Sequence, residues 1–388
     1  MGELRVLVFS ATIGDGHLRA AEAIIKVIKE KAPQAEITHL DFGEYISKTL
    51  NKVVKKSYIE LIKHTPKLYG TFYYRTYKIR PDSPIQRFIN LIGRKEFLDY
   101  INDLNPDVII STFHMAGSIF GELRTRGLLK APVISVVTDF DVHTQYINTG
   151  VDLYIGGCQG IHDGLCARGI EPNKIKITGI PVDPKFEVEL DRKKVIEKLN
   201  LKSIRPTILL MAGAYGVSGG LKNICKVLLN WDIPVQILVV CGRDEKLYRT
   251  MKELKGKNPI TCYGFVRNVE ELMSVADLIV TKAGGLTVSE SLTKKLPMII
   301  YKPIPGQEGE NAKFLAKIGA AKIARNDEEL ENIIADLLTN PEKVSQMKWA
   351  AAQALPGHAA ERAVEHIFSL INRGKDELKE ASRGIKMK

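Results

Sequence analysis

The chain has 388 residues, of which 45% are hydrophobic and 26% are charged. This composition excludes a disordered or fibrous protein and predicts two globular domains of roughly 150 to 200 residues each. The formal net charge of +11 predicts an acidic partner, whereas the five cysteines lack the spacing of a disulfide framework or a zinc site, and no apolar run is long enough to span a bilayer.

Apolar strand patterns alternate with amphipathic helical segments along most of the chain. The first series is LRVLVFSA, EITHLDF, DVIISTF, PVISVVTDF, DLYIGGC and KIKITGI, and the second is PTILLM, PVQILVVCG, ITCYGFV, DLIVTKAGG and PMIIYKP. Strands separated by helices of this length predict parallel sheets with crossover helices. We therefore predict an α/β protein with two Rossmann-like doubly wound domains, residues 1–180 and 200–355. Residues 356–388 are predicted to form a helix that returns toward the first domain, followed by a polar tail.

The first strand ends in a Gly-rich turn, SATIGDGHLRAAEA, that leads into a helix. Gly14 and Gly16 permit a tight turn, and His17 follows at the carboxyl end of the strand, where open α/β sheets bind ligands. A helix start disfavours imidazolium, so the ring is expected to stay neutral and to accept a proton. The pattern favours His17 as a general base over a capping or packing histidine. No signal segment precedes the first strand, and we expect a cytoplasmic protein with reduced cysteines.

A basic and aromatic segment spans residues 47–80, where nine lysine or arginine residues face one acid, Glu60. Cations interleaved with aromatic side chains suit anionic lipid head groups, each cation contributing about 1 kcal/mol near such a surface. A solvated helical face and a nucleic-acid patch are the alternatives, and no nucleic-acid-binding signature supports the second. The candidate membrane-contacting residues are Lys52, Lys55, Lys56, Tyr69, Phe72, Tyr73 and Tyr74.

Two acids and a histidine, Asp139, Asp141 and His143, follow the strand pattern PVISVV. They resemble a carboxylate pair or a metal site, but we expect no metal here. Asp139 ends a buried strand and is expected to orient His17 or an acceptor, with a helix cap as the alternative.

The stretch from residue 281 to 314 predicts a nucleotide-sugar site. A buried strand leads into a glycine pair where a helix begins, and free backbone N–H groups at such a start bind a diphosphate. A carboxylate in the first turns suits the two hydroxyl groups of a ribose, because it accepts hydrogen bonds from both. Beyond a second strand, amide and acid side chains can read sugar hydroxyls. The candidates in this stretch are Gly284, Gly285, Leu286, Thr287, Glu290, Gln307, Glu308 and Asn311.

Five motifs carry a family resemblance: GDGHLRAAEA, TDFDVHTQYI, TGIPVDPKF, TKAGGLTVSE and YKPIPGQEGEN. Over nearly its whole length the chain resembles the bacterial processive diacylglycerol glucosyltransferases and the plant monogalactosyldiacylglycerol synthases, which are glycosyltransferase family 28-like. More distantly, it is similar to the peptidoglycan transferase that makes lipid II. The resemblance implies a GT-B fold with an interdomain cleft. It also implies an inverting UDP-sugar transferase that needs no metal and works at the inner face of the cell membrane.

The resemblance implies roles for particular residues as well. His17 matches the base that deprotonates the acceptor, and Glu290 matches the ribose-binding acid. Phe265 and Val266 match the loop that holds uracil. The region that contacts the donor sugar is matched by Gln307, Glu308 and Asn311, and the loop near the diphosphate by Gly213, Ala214, Tyr215 and Gly216.

One position departs from the family pattern. Asp183, in the sequence GIPVD, stands where relatives often have arginine. Without that cation, backbone N–H groups after Gly213 and Gly285 are expected to carry more of the diphosphate charge.

Together, these patterns lead us to expect a hexosyltransferase that moves glucose or galactose from a UDP-sugar to diacylglycerol. The expected partners are the UDP-sugar, diacylglycerol and an anionic membrane surface, with no nucleic acid and no cofactor. The alternatives are a GT-B transferase for another lipid or soluble acceptor, and a UDP-sugar-binding regulator that does not catalyse. The presence of His17 argues against the regulator.

Overall fold

We analysed a computed structural model, which describes residues 3–12, 15–43, 60, 64–77, 83, 94–211 and 221–385. The chain divides into two compact units. The first comprises Met1–Val54, Arg75–Pro184 and His358–Lys388, and the second comprises Lys55–Tyr74 and Lys185–Gly357. Among the described residues, no helix combines the length and the apolar character that crossing a bilayer would need.

The described elements follow one another in the alternating order that the sequence predicts. Up to residue 184 they are β1 (Arg5–Ser10), α1 (Asp15–Lys31), β2 (Glu36–Asp41), α2 (Pro66–Thr76), α3 (Arg94–Leu104), β3 (Val108–Ser111), α4 (His114–Thr125), β4 (Val133–Val136), β5 (Leu153–Gly156), α5 (Gln159–Cys166) and β6 (Ile175–Ile177). The later elements are α6 (Arg192–Lys198), β7 (Thr207–Met211), α7 (Leu221–Asn230), β8 (Gln236–Val240), α8 (Glu245–Lys252), β9 (Ile260–Tyr263), α9 (Val269–Val275), β10 (Leu278–Thr281), α10 (Gly285–Thr293), β11 (Met298–Tyr301), α11 (Gln307–Lys317), β12 (Ala321–Ala324), α12 (Asp327–Thr339), α13 (Pro341–Ala354) and α14 (Ala359–Ile385).

The first unit is built on a six-stranded sheet in the order β2-β1-β3-β4-β5-β6, and all of its strand pairs are parallel. Strands such as VIIS and VISV are apolar along their length because helices cover both faces of the sheet. The last helix of the chain belongs to this core. Val364 and Ile367 of α14 pack in the same cluster as Ile24 and Ile28 of α1.

The second unit repeats the architecture with a parallel sheet in the order β12-β11-β10-β7-β8-β9. Its core gathers the β7, β8 and β10 side chains with the apolar faces of α7 and α12. The edge strand β12 has no counterpart among the strands expected from the sequence. It is short, and the side chain of Lys322 at its centre is exposed, so it lacks the apolar run of its neighbours.

The predicted fold class, two doubly wound parallel sheets, is confirmed. Each sheet also has a point where the strand order reverses, and open α/β sheets bind ligands outside the carboxyl ends of the strands at such a point. In the first sheet β1 lies between β2 and β3, which makes β1 and β3 the switch pair. In the second sheet the corresponding pair is β7 and β10. A ligand site is therefore expected in the segments that follow these four strands.

Candidate functional site

His17 lies in the first turn of α1, after the carboxyl end of β1. Its Nδ1 is 2.7 Å from the carbonyl oxygen of Thr112, which follows β3, and 3.0 Å from the hydroxyl of Thr138. The hydroxyl of Thr112 in turn donates to the carbonyl of His17 at 2.8 Å. The segments that follow β3 and β4 therefore hold the ring of this histidine, and the segment after β3 also holds its backbone.

These contacts settle the tautomer of His17. A carbonyl oxygen only accepts hydrogen bonds, so the proton must sit on Nδ1. Both hydrogen bonds that the described residues make to the ring fall on Nδ1. Nε2 therefore carries the lone pair and is left for a ligand. This is the arrangement that a general base requires.

Burial disfavours the protonated imidazole of His17. It lowers the pKa of His17 to about 4, and the hydrogen bond to the Thr112 carbonyl opposes only part of that shift. The neighbouring ring of His114, 6.5 Å away between centroids, has its pKa lowered to about 3 by burial and by the charges of His17 and His143. The site therefore disfavours imidazolium near neutral pH.

We predict that His17 does not titrate between pH 5.5 and 8. In a histidine NMR titration, its signals should show the Nδ1–H tautomer throughout, with a midpoint near 4. The folded-state pKa lies below the unfolded value of 6.5, so the stability that His17 contributes is present above pH 6.5 and is lost as pH falls toward 4. Comparison with the His17→Ala variant assigns the signals. A midpoint near 6.5 would contradict the buried, neutral state.

Tyr77 lies against both Asp141 and His143, with its ring centroid 5.7 Å from that of His143. Asp139 is buried, and its charge adds to the effect of burial in raising the pKa of Tyr146. Asp141 lies 3.4 Å from the hydroxyl of Tyr77. His143 caps a short 3-10 turn by accepting from the backbone N–H of Gln145 at 3.2 Å. Within the described ranges, no group of three or more His, Cys, Asp or Glu residues could hold a metal ion. The orienting role of Asp139 stays a prediction.

The predicted donor site lies at the switch pair of the second sheet, after β10. Gly284 precedes α10, and a Cβ built on it would meet no described atom within 4 Å, so the space at the start of α10 is open. Thr287 is half-buried, while Leu286 and Glu290 are buried. Ser289 instead bonds back to the carbonyl of Gly285 at 2.7 Å. The ribose-binding role of Glu290 stays a prediction.

Helix α11 begins at a turn that requires glycine, because Gly306 has φ of 107°. Asn311 is fully buried, and its amide donates to the carbonyl of Ala283 at 3.0 Å, which ties α11 to the loop after β10. Glu308 accepts from the backbone N–H of Ile304 at 3.1 Å. Burial raises the pKa of Glu308, and the charge of Lys282 opposes that shift. Gln307 is half-buried at the start of α11.

The loop after β9 carries Phe265 and Val266, the residues predicted to hold uracil. Phe265 is 47% exposed, which is unusual for an apolar ring and leaves one face accessible. The guanidinium of Arg243, after β8, lies 4.7 Å from the ring centroid, a cation–π distance. No sequence pattern indicated this cation, because only the fold brings the two loops together.

The aromatic residues of α2 pack against the turn before α11. Tyr73 and Tyr69 lie so close to Gly306 that a Cβ there would be 3.0 Å from Cγ of Tyr73 and 3.3 Å from Cε1 of Tyr69. The hydroxyl of Tyr74 donates to Glu310 at 2.7 Å. These three tyrosines therefore contact the predicted sugar-binding region of the second unit, a contact that was not expected from their sequence pattern.

Asp183, which replaces the family arginine, accepts from Lys26 of α1 at 2.8 Å.

Gly16 is half-buried next to His17. Several predicted site residues lie outside the described residues: Gly14, Gly213, Ala214, Tyr215, Gly216, Lys52, Lys55, Lys56 and the side chain of Phe72.

Comparison with known proteins supplies further findings. Residues 17–182 match the family described as "Monogalactosyldiacylglycerol (MGDG) synthase", and residues 217–366 match the "Glycosyltransferase family 28 C-terminal domain". A processive diacylglycerol beta-glucosyltransferase from Bacillus pumilus is 31% identical over 365 residues, covering 94% of each chain. Its namesake from Bacillus subtilis is 31% identical over 349 residues, covering 89% of each.

Among solved structures, MurG from Acinetobacter baumannii superposes with a TM-score of 0.64 at 19% identity, covering 96% of this chain and 99% of that one. HepE from Anabaena in complex with UDP-glucose gives a TM-score of 0.55 at 14% identity, covering 95% of this chain and all of that one. At these identities the two structures support the fold alone.

Proposed function

Because the chain belongs to the family of processive diacylglycerol β-glucosyltransferases and monogalactosyldiacylglycerol synthases, we propose that it transfers a hexose from a UDP-sugar to diacylglycerol. The relatives' names supply the acceptor class, and their glucose makes UDP-glucose the first donor to test, ahead of UDP-galactose. The observation that supports the catalytic part of the proposal is the ring of His17, whose Nδ1 bonds to the Thr112 carbonyl while no described residue engages Nε2.

In the proposed reaction, Nε2 of His17 takes the proton of the acceptor hydroxyl. The hydroxyl oxygen forms a bond to the anomeric carbon of the sugar while the bond from that carbon to the UDP oxygen breaks. A single displacement of this kind inverts the anomeric centre, and UDP leaves with the bonding electron pair. A neutral base with a low pKa is in the correct protonation state at physiological pH, although its driving force for proton abstraction is modest.

The leaving group sets the second requirement. UDP is already a stable anion, so the protein must provide fixed positive potential rather than a proton. The open start of α10 supplies backbone N–H groups for the diphosphate, and Glu290 is the proposed partner of the ribose hydroxyls. The proposed step uses no metal ion and no cofactor besides the UDP-sugar.

The proposal is tested by incubating the purified chain with diacylglycerol and either UDP-glucose or UDP-galactose. We expect a hexosyldiacylglycerol by mass spectrometry, with a β linkage from the anomeric proton coupling. Transfer to another lipid but not to diacylglycerol would overturn the acceptor assignment. UDP binding without transfer to any lipid would instead indicate a regulator that binds UDP-sugars.

We also propose that the protein works as a peripheral protein on the inner face of the cell membrane. The support is the excess of cations in residues 47–80 within a chain of net charge +11, together with the lipid acceptor in the relatives' names. Surface electrostatics of this kind are screened over about 8 to 10 Å at moderate ionic strength.

Converting Lys52, Lys55 and Lys56 to glutamate is predicted to abolish the dependence of vesicle binding on anionic lipid and to lower activity on membrane-embedded diacylglycerol. Each cation contributes about 1 kcal/mol at an anionic surface. Activity on a short-chain diacylglycerol should change much less. The readout is cosedimentation with vesicles of increasing anionic content and salt.

A matched control converts three exposed lysines of the second unit, Lys317, Lys322 and Lys348, and changes the net charge by the same amount. If both triple variants pellet with anionic vesicles as the parent does, residues 47–80 form an ordinary solvated surface.

A further inference from the structure

Lys282 stands at the carboxyl end of β10, one of the two strands at the switch point of the second sheet. It follows Thr281 directly, and two residues, Ala283 and Gly284, separate it from the first residue of α10. Its side chain is half-buried, so the ammonium group is partly removed from water. The family resemblance gave no role to this position.

The described residues do not provide that partner. Nζ of Lys282 makes no hydrogen bond or close ion pair with any residue that the structure describes. Other lysines of the second unit do so: Lys302 with Asp327 at 2.7 Å, and Lys198 with Glu271 at 2.6 Å. The charge that acts on Lys282 is that of Glu308, at the start of α11. Burial lowers the pKa of Lys282, so the ammonium lacks both full hydration and a contacting anion.

Glu308 already has a backbone partner. Its Oε2 accepts from the backbone N–H of Ile304 at 3.1 Å, at the turn before α11. On the other side, Asn311 donates to the carbonyl of Ala283, which ties the residue after Lys282 to α11. Within the part of the chain that the structure describes, the charges of Lys282 and Glu308 therefore interact without a direct contact.

We propose that Lys282 binds the diphosphate of the donor, as the side-chain cation that supplements the backbone N–H groups of α10. This inference rests on the proposed function. An anion is the ligand that a half-buried, unpaired ammonium favours, and a phosphate group can accept charge-assisted hydrogen bonds from both Lys282 and the helix start. Asp183, where the family resemblance predicts an arginine, pairs instead with Lys26 and offers the diphosphate no cation. Lys282 is thus a cation that remains available for the departing diphosphate.

The experiment compares Lys282→Gln with the parent by calorimetry, using UDP, UMP, uridine and UDP-glucose as probes. Losing one charge-assisted hydrogen bond should weaken UDP binding roughly ten- to hundredfold and leave uridine binding unchanged. Lys282→Arg should restore most of the affinity, because it keeps the charge. Lys322→Gln, on the exposed edge strand of the same sheet, is the matched control and should bind UDP as the parent does.

Glu308→Gln separates a ligand role from a purely structural ion pair. If Lys282 serves the diphosphate, Glu308→Gln should weaken UDP binding less than Lys282→Gln does. Equal weakening of UDP binding by Glu308→Gln and Lys282→Gln would overturn the proposal in favour of a structural pair. A loss confined to UDP-glucose, with UDP unaffected, would also overturn it and assign Lys282 to the sugar. A parent that binds neither UDP nor UDP-glucose would overturn the proposed function itself.

Discussion

Replacing His17 with alanine is expected to lower turnover by about a hundredfold or more while leaving UDP affinity nearly unchanged, because a positioned base contributes on that order. The base and the donor residues lie on different units, so the substitution should not disturb the nucleotide. The measurements are the steady-state turnover number with UDP-glucose and diacylglycerol, and the dissociation constant of UDP by calorimetry.

His17→Asn sharpens the test. The amide of asparagine can donate to the Thr112 carbonyl as Nδ1–H does, but it offers nothing in place of Nε2. Turnover should therefore be as low as in the alanine variant, while thermal stability stays closer to that of the parent. His162→Ala, on α5, is the control and should be fully active. Near-normal turnover in the asparagine variant would place the base elsewhere.

The second large effect is expected from Glu290→Ala, which should weaken UDP binding by about 1.5 to 3 kcal/mol, or roughly ten- to more than hundredfold in dissociation constant. A carboxylate that accepts from two ribose hydroxyls makes charge-assisted hydrogen bonds, and their loss costs this much. Glu290 is 5% exposed at α10, so its removal also leaves the ribose without a buried partner.

A double-mutant cycle with 2′-deoxy-UDP isolates the ribose contact. The parent should lose affinity for the deoxy nucleotide, whereas Glu290→Ala should bind UDP and 2′-deoxy-UDP alike. Glu328→Ala, at an exposed position of α12, is the control. Additive effects of the substitution and of the deoxy sugar would show that the ribose lies elsewhere.

The fold class was predictable because both series of strands are strongly apolar and regularly spaced. The edge strand β12 was not, since its four residues alternate around an exposed lysine. The order of strands within each sheet could not be predicted from the sequence either, although this order decides where the switch points lie. Local periodicity predicts elements, whereas the partners of a strand depend on contacts distant in sequence.

The site was predictable in part for a similar reason. His17 was identified from its turn, but its orienting group is a backbone carbonyl 95 residues away, and any residue type at position 112 would present one. Its neutrality was predicted from the helix start, and the structure adds burial as a cause that lowers the pKa of the ring. One sequence pattern did point to the group that orients His17. Thr112 follows an apolar strand, and in a parallel sheet neighbouring strands end at the same edge.

The tyrosines of α2 make contacts that their sequence pattern did not indicate. Their composition favoured a lipid surface, yet Tyr73 and Tyr74 contact Gly306 and Glu310. An aromatic side chain between lysines looks the same in sequence whether it faces lipid or another loop. Only packing against a specific glycine distinguishes the two.

The position of α14 has a consequence for biosynthesis. Ala360, Val364 and Ile367 complete the core beneath α1, although they lie far beyond α1 in the sequence. During translation, the α1 face emerges first and stays uncovered until these residues have left the ribosome. The second unit, Lys55–Tyr74 and Lys185–Gly357, lies wholly before residue 358 and does not wait for α14. The domain that begins the chain is therefore the last to finish folding, and a ribosome that stops before residue 358 releases a protein with an open N-terminal core.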